Sequence, residues 1–549
     1  LPPGKLLPDR QPAYVASWVY VFGVAALSAF GVAIVSGFAI AIGGPDWWHT
    51  NPVGHFFNSL HLWSVELFMA FLVIHLWGKF WMAAWRGRRR LTWITGVVAF
   101  VLSIVECFTG YLSQQNFDSQ WIATSGKDAF NAVGVGAFFN LLNFGQMLLW
   151  HVVLIPIVLV ALVGAHVLLV RVRGVSHPLP VQPSRGRAAR RAAAAADAAE
   201  WRGPTRRYDI VKEASIASLV ALLLVVLLAG LLSSPDDPPV TVASWAKVAP
   251  ADFLATAVSE LDGTSETATY GPPYNHQSGS VQQIGPNWQL LAGVRQPINA
   301  AQTFVLDPLS RVAPTDPPLA RALAAYRRAS TRQQQTWSLA YAKVVNHVSF
   351  RGGRPVLPRA ADGPVPLLLS TELTLAGSGA LDADLLAQHP FYGTDFTKPL
   401  LFLEDGNYFS AKATAEHLSG AQWGVMNETG SYPGQPWLWL YTLWYQVPGF
   451  DNSANVDLIA IYLTGVATLL LLAVPFLPGL RDIPRLIPVH RLIWRNWNRS
   501  QSAGRPPGAP GAPGAPEVEA AGGGPPGEAT AQLVGSAPVE SNRAGSGQT

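Results

Sequence analysis

The chain has 549 residues; 49% are hydrophobic, only 13% are charged, one is cysteine, and the formal net charge is +4. Soluble chains carry about 25% charged residues, so the composition argues against a wholly soluble protein and for a membrane protein with an attached polar part. The lone Cys107 excludes intrachain disulfides, a Cys-ligated iron–sulfur cluster and covalent attachment through C-x-x-C-H, and a net charge of +4 is too small to suggest a nucleic-acid partner.

In chain order, six hydrophobic runs reach the ~20 residues needed to cross the hydrocarbon layer: 15–42, 56–84, 92–113, 147–170, 214–233 and 456–478. No short apolar segment with a small-residue cleavage site is visible, so no signal peptide is expected. Arginines cluster after the second run (Arg86, Arg88, Arg89, Arg90), after the fourth (Arg171, Arg173, Arg185, Arg187, Arg190, Arg191 and onward) and after the sixth (Arg481, Arg485, Arg491, Arg495, Arg499). Six spans put these segments and both termini on one side, which the positive-inside rule makes cytoplasmic. The expected location is therefore the cell membrane, multi-pass, with N- and C-termini in the cytoplasm. Residues 181–213 read as a cytoplasmic linker with an alanine run at 192–196. Residues 234–455 form an outer-side mixed domain of unassigned fold, with a helical pattern at about 317–350. Its closing stretch, Trp437-Leu438-Trp439-Leu440-Tyr441 with Trp444-Tyr445, suits either an interfacial aromatic belt or an edge of the domain core. Residues 479–549 read as a basic juxtamembrane segment, with a disordered Gly/Ala/Pro tail from 501.

Histidine inside a span is costly and therefore a functional candidate. The second span holds His61 and His75, 14 residues apart; at 100° per residue they share one face about 21 Å apart. The fourth holds His151 and His166, 15 apart, with a similar rise and an offset of about 60°. Antiparallel packing makes two His–His pairs at two depths, and neutral imidazoles are good axial ligands for haem iron. The alternative is histidines that only bond neighbouring helices. A single metal ion of another kind fits poorly, because the pairs lie too far apart. Gly23 and Gly37 on the first span and Gly96 and Gly110 on the third repeat the 14-residue interval. Such glycines leave room for a porphyrin edge, or serve ordinary small-residue helix packing.

Residues 1–180 resemble the four-helix haem-binding half of cytochrome b, nearer its b6 short form. The resemblance is carried by Ser36-Gly37-Phe38, His61-x-Trp63-Ser64 with His75, Leu91 to Val98, Gly110-Tyr111, His151 with Pro156 and His166, and Arg171 to Ser176. It implies a six-span, mainly α protein with a four-helix di-haem bundle. His61 and His151 would ligate the outer haem iron, and His75 and His166 the cytoplasmic one, both haems b-type and non-covalent. It also implies a quinol–cytochrome c reductase type of complex, with quinol as substrate. A Rieske iron–sulfur protein and a cytochrome c-type subunit would be partners, lipid would surround the spans, and a homodimer is one assembly it allows.

The sequence also departs from the family. Where the family has propionate-holding arginines, it has Asn58, Met147 and Gly78, the last followed by Lys79. Leu112-Ser113-Gln114-Gln115 replaces a Leu-Pro-Trp segment, and no Pro-Glu-Trp-Tyr quinol motif occurs. Val21 stands where the b6 form has the cysteine of an extra haem, so no third haem is expected. Glu106 and Glu66 are intramembrane carboxylates that read either as proton acceptors for quinol oxidation or as structural carboxyls. Lys79, Arg171 and Arg173 could hold propionates or a quinone carbonyl, or only signal topology. His276, His347, His389 and His417 have no metal-ligand spacing. The leading expectation is a divergent cytochrome b subunit. The rivals are a transmembrane haem conduit for another reductase and a haem-poor structural or sensory protein on the same frame.

Overall fold

The computed structural model describes residues 7–179, 187–199, 201–234, 236–351, 354–356, 362–386, 395–416, 418, 437–450 and 452–502. Most of the expected Gly/Ala/Pro tail, His389 and His417 lie outside them.

Among the described residues, six helices are long and apolar enough to cross a membrane: Trp18–Gly43, Pro52–Trp81, Gly87–Leu112, Phe144–Arg173, Ile210–Leu232 and Val456–Ala473. Their ends follow local chemistry. Asn51 accepts from the backbone N–H groups of Val53 and Gly54 to start the second span, with Pro52 in the first turn. Asn143 and Asp209 cap the fourth and fifth spans in the same way. Gly174 ends the fourth at φ 72°, a conformation that favours glycine. The outward faces carry exposed Val35, Phe38, Ile157, Val158, Leu222 and Leu223, side chains that lipid rather than water would cover.

The first span packs along the second, and the third along the fourth. The fifth lies against the first and second, joined by a Ser28–Ser218 hydroxyl contact at 3.1 Å. The sixth lies against the third, where Trp93 donates to the Leu471 carbonyl at 2.8 Å.

One end of the bundle gathers the basic segments. Tyr14, Met82, Trp85, Trp93, Leu179, Val474 and Trp494 form one buried cluster there. Arg86 donates to Asp197 at 2.6 Å and to the His177 carbonyl, while Arg89 donates to the Gly174 carbonyl at 3.0 Å. The alanine-rich stretch of the linker is a helix, Arg187–Ala198, held by this pairing.

The other end carries the polar domain, whose described residues are mostly helices punctuated by Pro and Gly, with one two-residue strand pair, Phe350–Arg351 with Arg354–Pro355. The helical pattern at 317–350 resolves into Pro317–Arg328 and Thr331–Ala342, because Ser330 caps a new helix through the Gln333 N–H. The connection between the third and fourth spans joins this domain: its helix Phe117–Ala132 places Gln120 in two hydrogen bonds with the Val240 backbone and Lys127 on Glu404 at 2.5 Å. Burial works against the Lys127 ammonium, but the Glu404, Asp128 and Glu266 carboxylates outweigh it and raise its pKa. In the aromatic stretch Trp437 is buried against Tyr111, whereas Trp439 is exposed, so that stretch contributes both to the core and to the surface.

Candidate functional site

All four intramembrane histidines face glycines on neighbouring spans. A Cβ built on Gly37 would lie 3.1 Å from His61 Cε1, on Gly23 3.0 Å from His75 Cε1, on Gly96 3.0 Å from His166 Cε1, and on Gly110 2.5 Å from His151 Cε1. Each glycine therefore seats an imidazole ring of a neighbouring span.

The rings are also held by hydrogen bonds. His61 Nδ1 lies 3.0 Å from the Ala33 carbonyl and 3.2 Å from the Ser36 hydroxyl. His151 Nδ1 lies 3.0 Å from the Glu106 carbonyl, and His166 Nδ1 3.2 Å from the Thr95 hydroxyl. A carbonyl oxygen only accepts, so Nδ1 of His61 and of His151 carries the hydrogen and Nε2 keeps its lone pair. That is the tautomer a metal ligand needs. His75 Nδ1 is buried with no hydrogen-bond partner among the described residues.

The pairing expected from antiparallel spans is present. His61 and His151 stand with ring centroids 6.0 Å apart and planes at 84°. A ligating imidazole nitrogen sits about 2 Å from a first-row metal, with its ring centre about 1 Å behind, so two ligands on one ion have centroids at most ~6 Å apart. His75 and His166 lie within electrostatic reach of each other and of Lys79. Donor type, tautomer and spacing of the His61–His151 pair fit residues that would hold one iron between them.

The 15-residue interval has a structural cause. Residues Trp150–Leu154 form a π-helical turn ahead of Pro156, which has no N–H to give the helix. The wide turn absorbs about one residue, so His151 and His166 are related as if about 14 residues apart, the interval of His61 and His75, with an offset of about 40° in place of about 60°.

The remaining predicted residues divide. Glu106 Oε1 lies 3.3 Å from His151 Nδ1. Glu66 is buried with Oε1 free of any hydrogen-bond partner, and both carboxyls lie within electrostatic reach of Cys107. Lys79 stands over the Tyr20 ring at 4.5 Å. Arg171 lies within electrostatic reach of Tyr208, and Arg173 ends the same span. His276 and His347 are exposed.

Three positions explain the missing arginines. A Cβ on Gly78 would lie 2.5 Å from Val19 Cγ1, which leaves an arginine no room. Met147 is fully buried. Asn58 forms a reciprocal amide pair with Gln114, at 3.0 and 3.1 Å. The Gln114 carbonyl in turn accepts from His49 Nε2 at 2.8 Å, and His49 Nδ1 meets Asp236 at 2.6 Å. Burial disfavours the His49 imidazolium, but Asp236 and the Gln114 carbonyl outweigh it and raise its pKa. This chain ties the N-terminal end of the second span to the polar domain, and Trp63 donating to the Ser233 carbonyl at 2.8 Å ties it to the end of the fifth span. Residues 49, 114 and 236 are far apart in sequence, so spacing could not reveal them.

Three comparisons bear on this bundle. A family model described as cytochrome b (N-terminal)/b6/petB matches residues 66–236. The chain is 30% identical over 143 residues to cytochrome b6 of Heliomicrobium gestii, covering 24% of this chain and 67% of that protein. It is 32% identical over 138 residues to the cytochrome bc complex cytochrome b subunit of Chlorobaculum thiosulfatiphilum, covering 23% of this chain and 32% of that one. The chain thus spans about a third of that second relative's length. Among solved structures, a chain of a hyperthermophilic respiratory Complex III aligns over 67% of this chain and 91% of its own at 15% identity and a TM-score of 0.32.

Proposed function

We propose that this chain, which belongs to the cytochrome b/b6 family, holds two b haems and serves as the cytochrome b subunit of a quinol–cytochrome c reductase type of complex. Family membership makes it a multi-pass membrane electron-transfer protein that binds b-type haem. When bound, such a haem supplies reversible one-electron exchange. The observation that carries the two-haem reading is the matched set of four histidine rings, each seated on a glycine of a neighbouring span.

In this reading His61 and His151 hold the outer haem iron, and His75 and His166 the cytoplasmic one. Gly23, Gly37, Gly96 and Gly110 admit those rings. Lys79, within reach of His75 and His166, is the cation assigned to the cytoplasmic haem's propionates, with Arg171 and Arg173 beside that end. Glu66, whose buried Oε1 has no partner, is the proton acceptor assigned to quinol oxidation, with Glu106 near it. The basic end of the bundle faces the cytoplasm by its arginines. A Rieske iron–sulfur protein and a cytochrome c-type subunit dock at the opposite end, and the complex is compatible with a homodimer.

The test is quinol-dependent reduction in native membranes. Reduced quinol is expected to bring up b-type absorption, and Glu66→Gln to slow it without changing haem content. A second reading, a transmembrane haem conduit for another reductase, draws support from the Asn58–Gln114 amide pair, which occupies the position of a family arginine. Full haem content without any quinol-dependent reduction would select it.

A further inference from the structure

The four histidines do not share one kind of partner, and the difference is concentrated at His151. Its Nδ1 faces two oxygens of the same residue: the Glu106 carbonyl at 3.0 Å and the Glu106 carboxyl Oε1 at 3.3 Å. His61 meets a carbonyl and a hydroxyl, His166 meets the Thr95 hydroxyl, and His75 Nδ1 meets nothing. The Glu106 side chain is 17% exposed, and its second oxygen, Oε2, is buried without a hydrogen-bond partner. Its contact with His151 therefore has no rival among the described residues.

The backbone supports the same contact. Glu106 stands one helical turn before Gly110, the glycine that an imidazole approaches most closely, at 2.5 Å from the built Cβ against 3.0 to 3.1 Å at the other three. The π-helical turn at Trp150–Leu154 carries His151 across to that helix. One residue thus supplies the carbonyl that accepts the ring hydrogen and a carboxyl oxygen close beside it, and the glycine beyond it lets the ring come close to both.

We propose that Glu106 is a positioning residue for the outer centre: its carboxyl draws on the Nδ1 hydrogen of His151, makes Nε2 a stronger donor, and so lowers the reduction potential of the iron that His61 and His151 would hold. The inference deepens the proposed function and rests on its reading of His151 as a ligand. A carboxyl partner on a ligating histidine raises ligand basicity and fixes ring orientation. A more basic ligand favours the more highly charged oxidised metal. A carbonyl or hydroxyl partner does this less.

The test uses the full chain, purified with haem bound, in wild-type, His151→Ala, Glu106→Gln and Glu106→Asp forms, followed by redox titration of each b-type absorption component. His151→Ala first identifies the outer component. Glu106→Gln is expected to keep both haems and to raise the reduced-to-oxidised ratio of that component about tenfold at fixed ambient potential, about 59 mV for one electron. The other component stays in place, and Glu106→Asp returns the outer one toward wild type. Full haem content with no shift in Glu106→Gln, or an equal shift in both components, overturns the proposal. If Glu106→Gln sheds the outer haem, Glu106→Asp decides: wild-type potential supports the proposal, whereas loss of haem there too makes Glu106 merely structural and overturns it. A wild-type protein whose spectrum is untouched by His151→Ala fails the ligand reading itself, and both fall.

Discussion

Adding one methyl group at Gly110 puts the seating of the imidazoles to a quantitative test. The new Cβ of Gly110→Ala lies 2.5 Å from His151 Cε1 and 2.9 Å from both ring nitrogens. Carbon atoms in contact prefer about 3.5 Å, so the ring must retreat by about 1 Å. That movement stretches the 3.0 Å bond from Nδ1 to the Glu106 carbonyl and carries Nε2 away from His61. Overpacking of this kind costs roughly 1–3 kcal/mol, which corresponds to about 5- to 150-fold weaker occupancy at that site. The control is Gly164→Ala on the same span as His151 and His166, where an added Cβ meets nothing within 4 Å. It should be harmless, or gain about 0.5–1 kcal/mol from reduced backbone entropy. Gly37→Ala and Gly96→Ala, with contacts of 3.1 and 3.0 Å, should fall between. The assay is haem per chain by pyridine haemochrome, with the two absorption components resolved. Normal haem content in Gly110→Ala, or equal loss in Gly164→Ala, would refute the reasoning.

Other outcomes follow from buried charge. Burial, chiefly, raises the carboxyl pKa of Glu372 well above its ordinary value of 4.5. The folded state therefore binds more protons than the unfolded one, and this group's contribution is present at low pH and fades as pH rises from the ordinary carboxyl range through the folded pKa. Glu372→Gln should raise the midpoint of thermal unfolding of the polar domain more at about pH 8 than at about pH 5; an increase independent of pH would contradict this. The Arg86–Asp197 pair has side chains only 8% and 12% exposed, so Asp197→Ala strands a buried cation at a cost of about 3 kcal/mol. Limited proteolysis should then cut faster at the linker helix, and an unchanged rate would show the pair to be dispensable. Gln114→Ala removes the partner of Asn58 and should cost about 1–3 kcal/mol, read as a lower melting temperature of the detergent-solubilised protein; an unchanged temperature would show that the amide pair contributes little.

How much of this was legible in the sequence depends on the range of the interaction. The spans follow from composition alone, and the histidine and glycine intervals from helical periodicity, because both signals are local. The chemical reason for the glycines was not legible: periodicity placed Gly110 at the depth of a ligand, but only packing showed that His151 sits on it. Pro156 was a visible mark of helix distortion, yet the sequence gives no way to tell a kink from a π-helical turn. A regular helix would set His151 and His166 about 60° apart, whereas the wide turn gives them about the same relation as His61 and His75. The break at Ser330, inside a pattern that reads as one helical stretch, shows only in the folded chain, where Ser330 caps a new helix. By contrast, the Asp236–His49–Gln114–Asn58 chain draws on four distant segments and becomes visible only after folding. The helix Phe117–Ala132 was hidden for the same reason, since its buried Gln120 and Lys127 are satisfied only by the polar domain.

The central claim, that four seated histidines hold two haems, is tested most directly by the pyridine haemochrome of purified wild-type protein beside His75→Ala. About two b-type haems per chain are predicted for the wild type. Loss of one absorption component, with the other unshifted, is predicted for the variant. A wild-type protein without haem, or a His75→Ala variant that retains both components, would contradict the account.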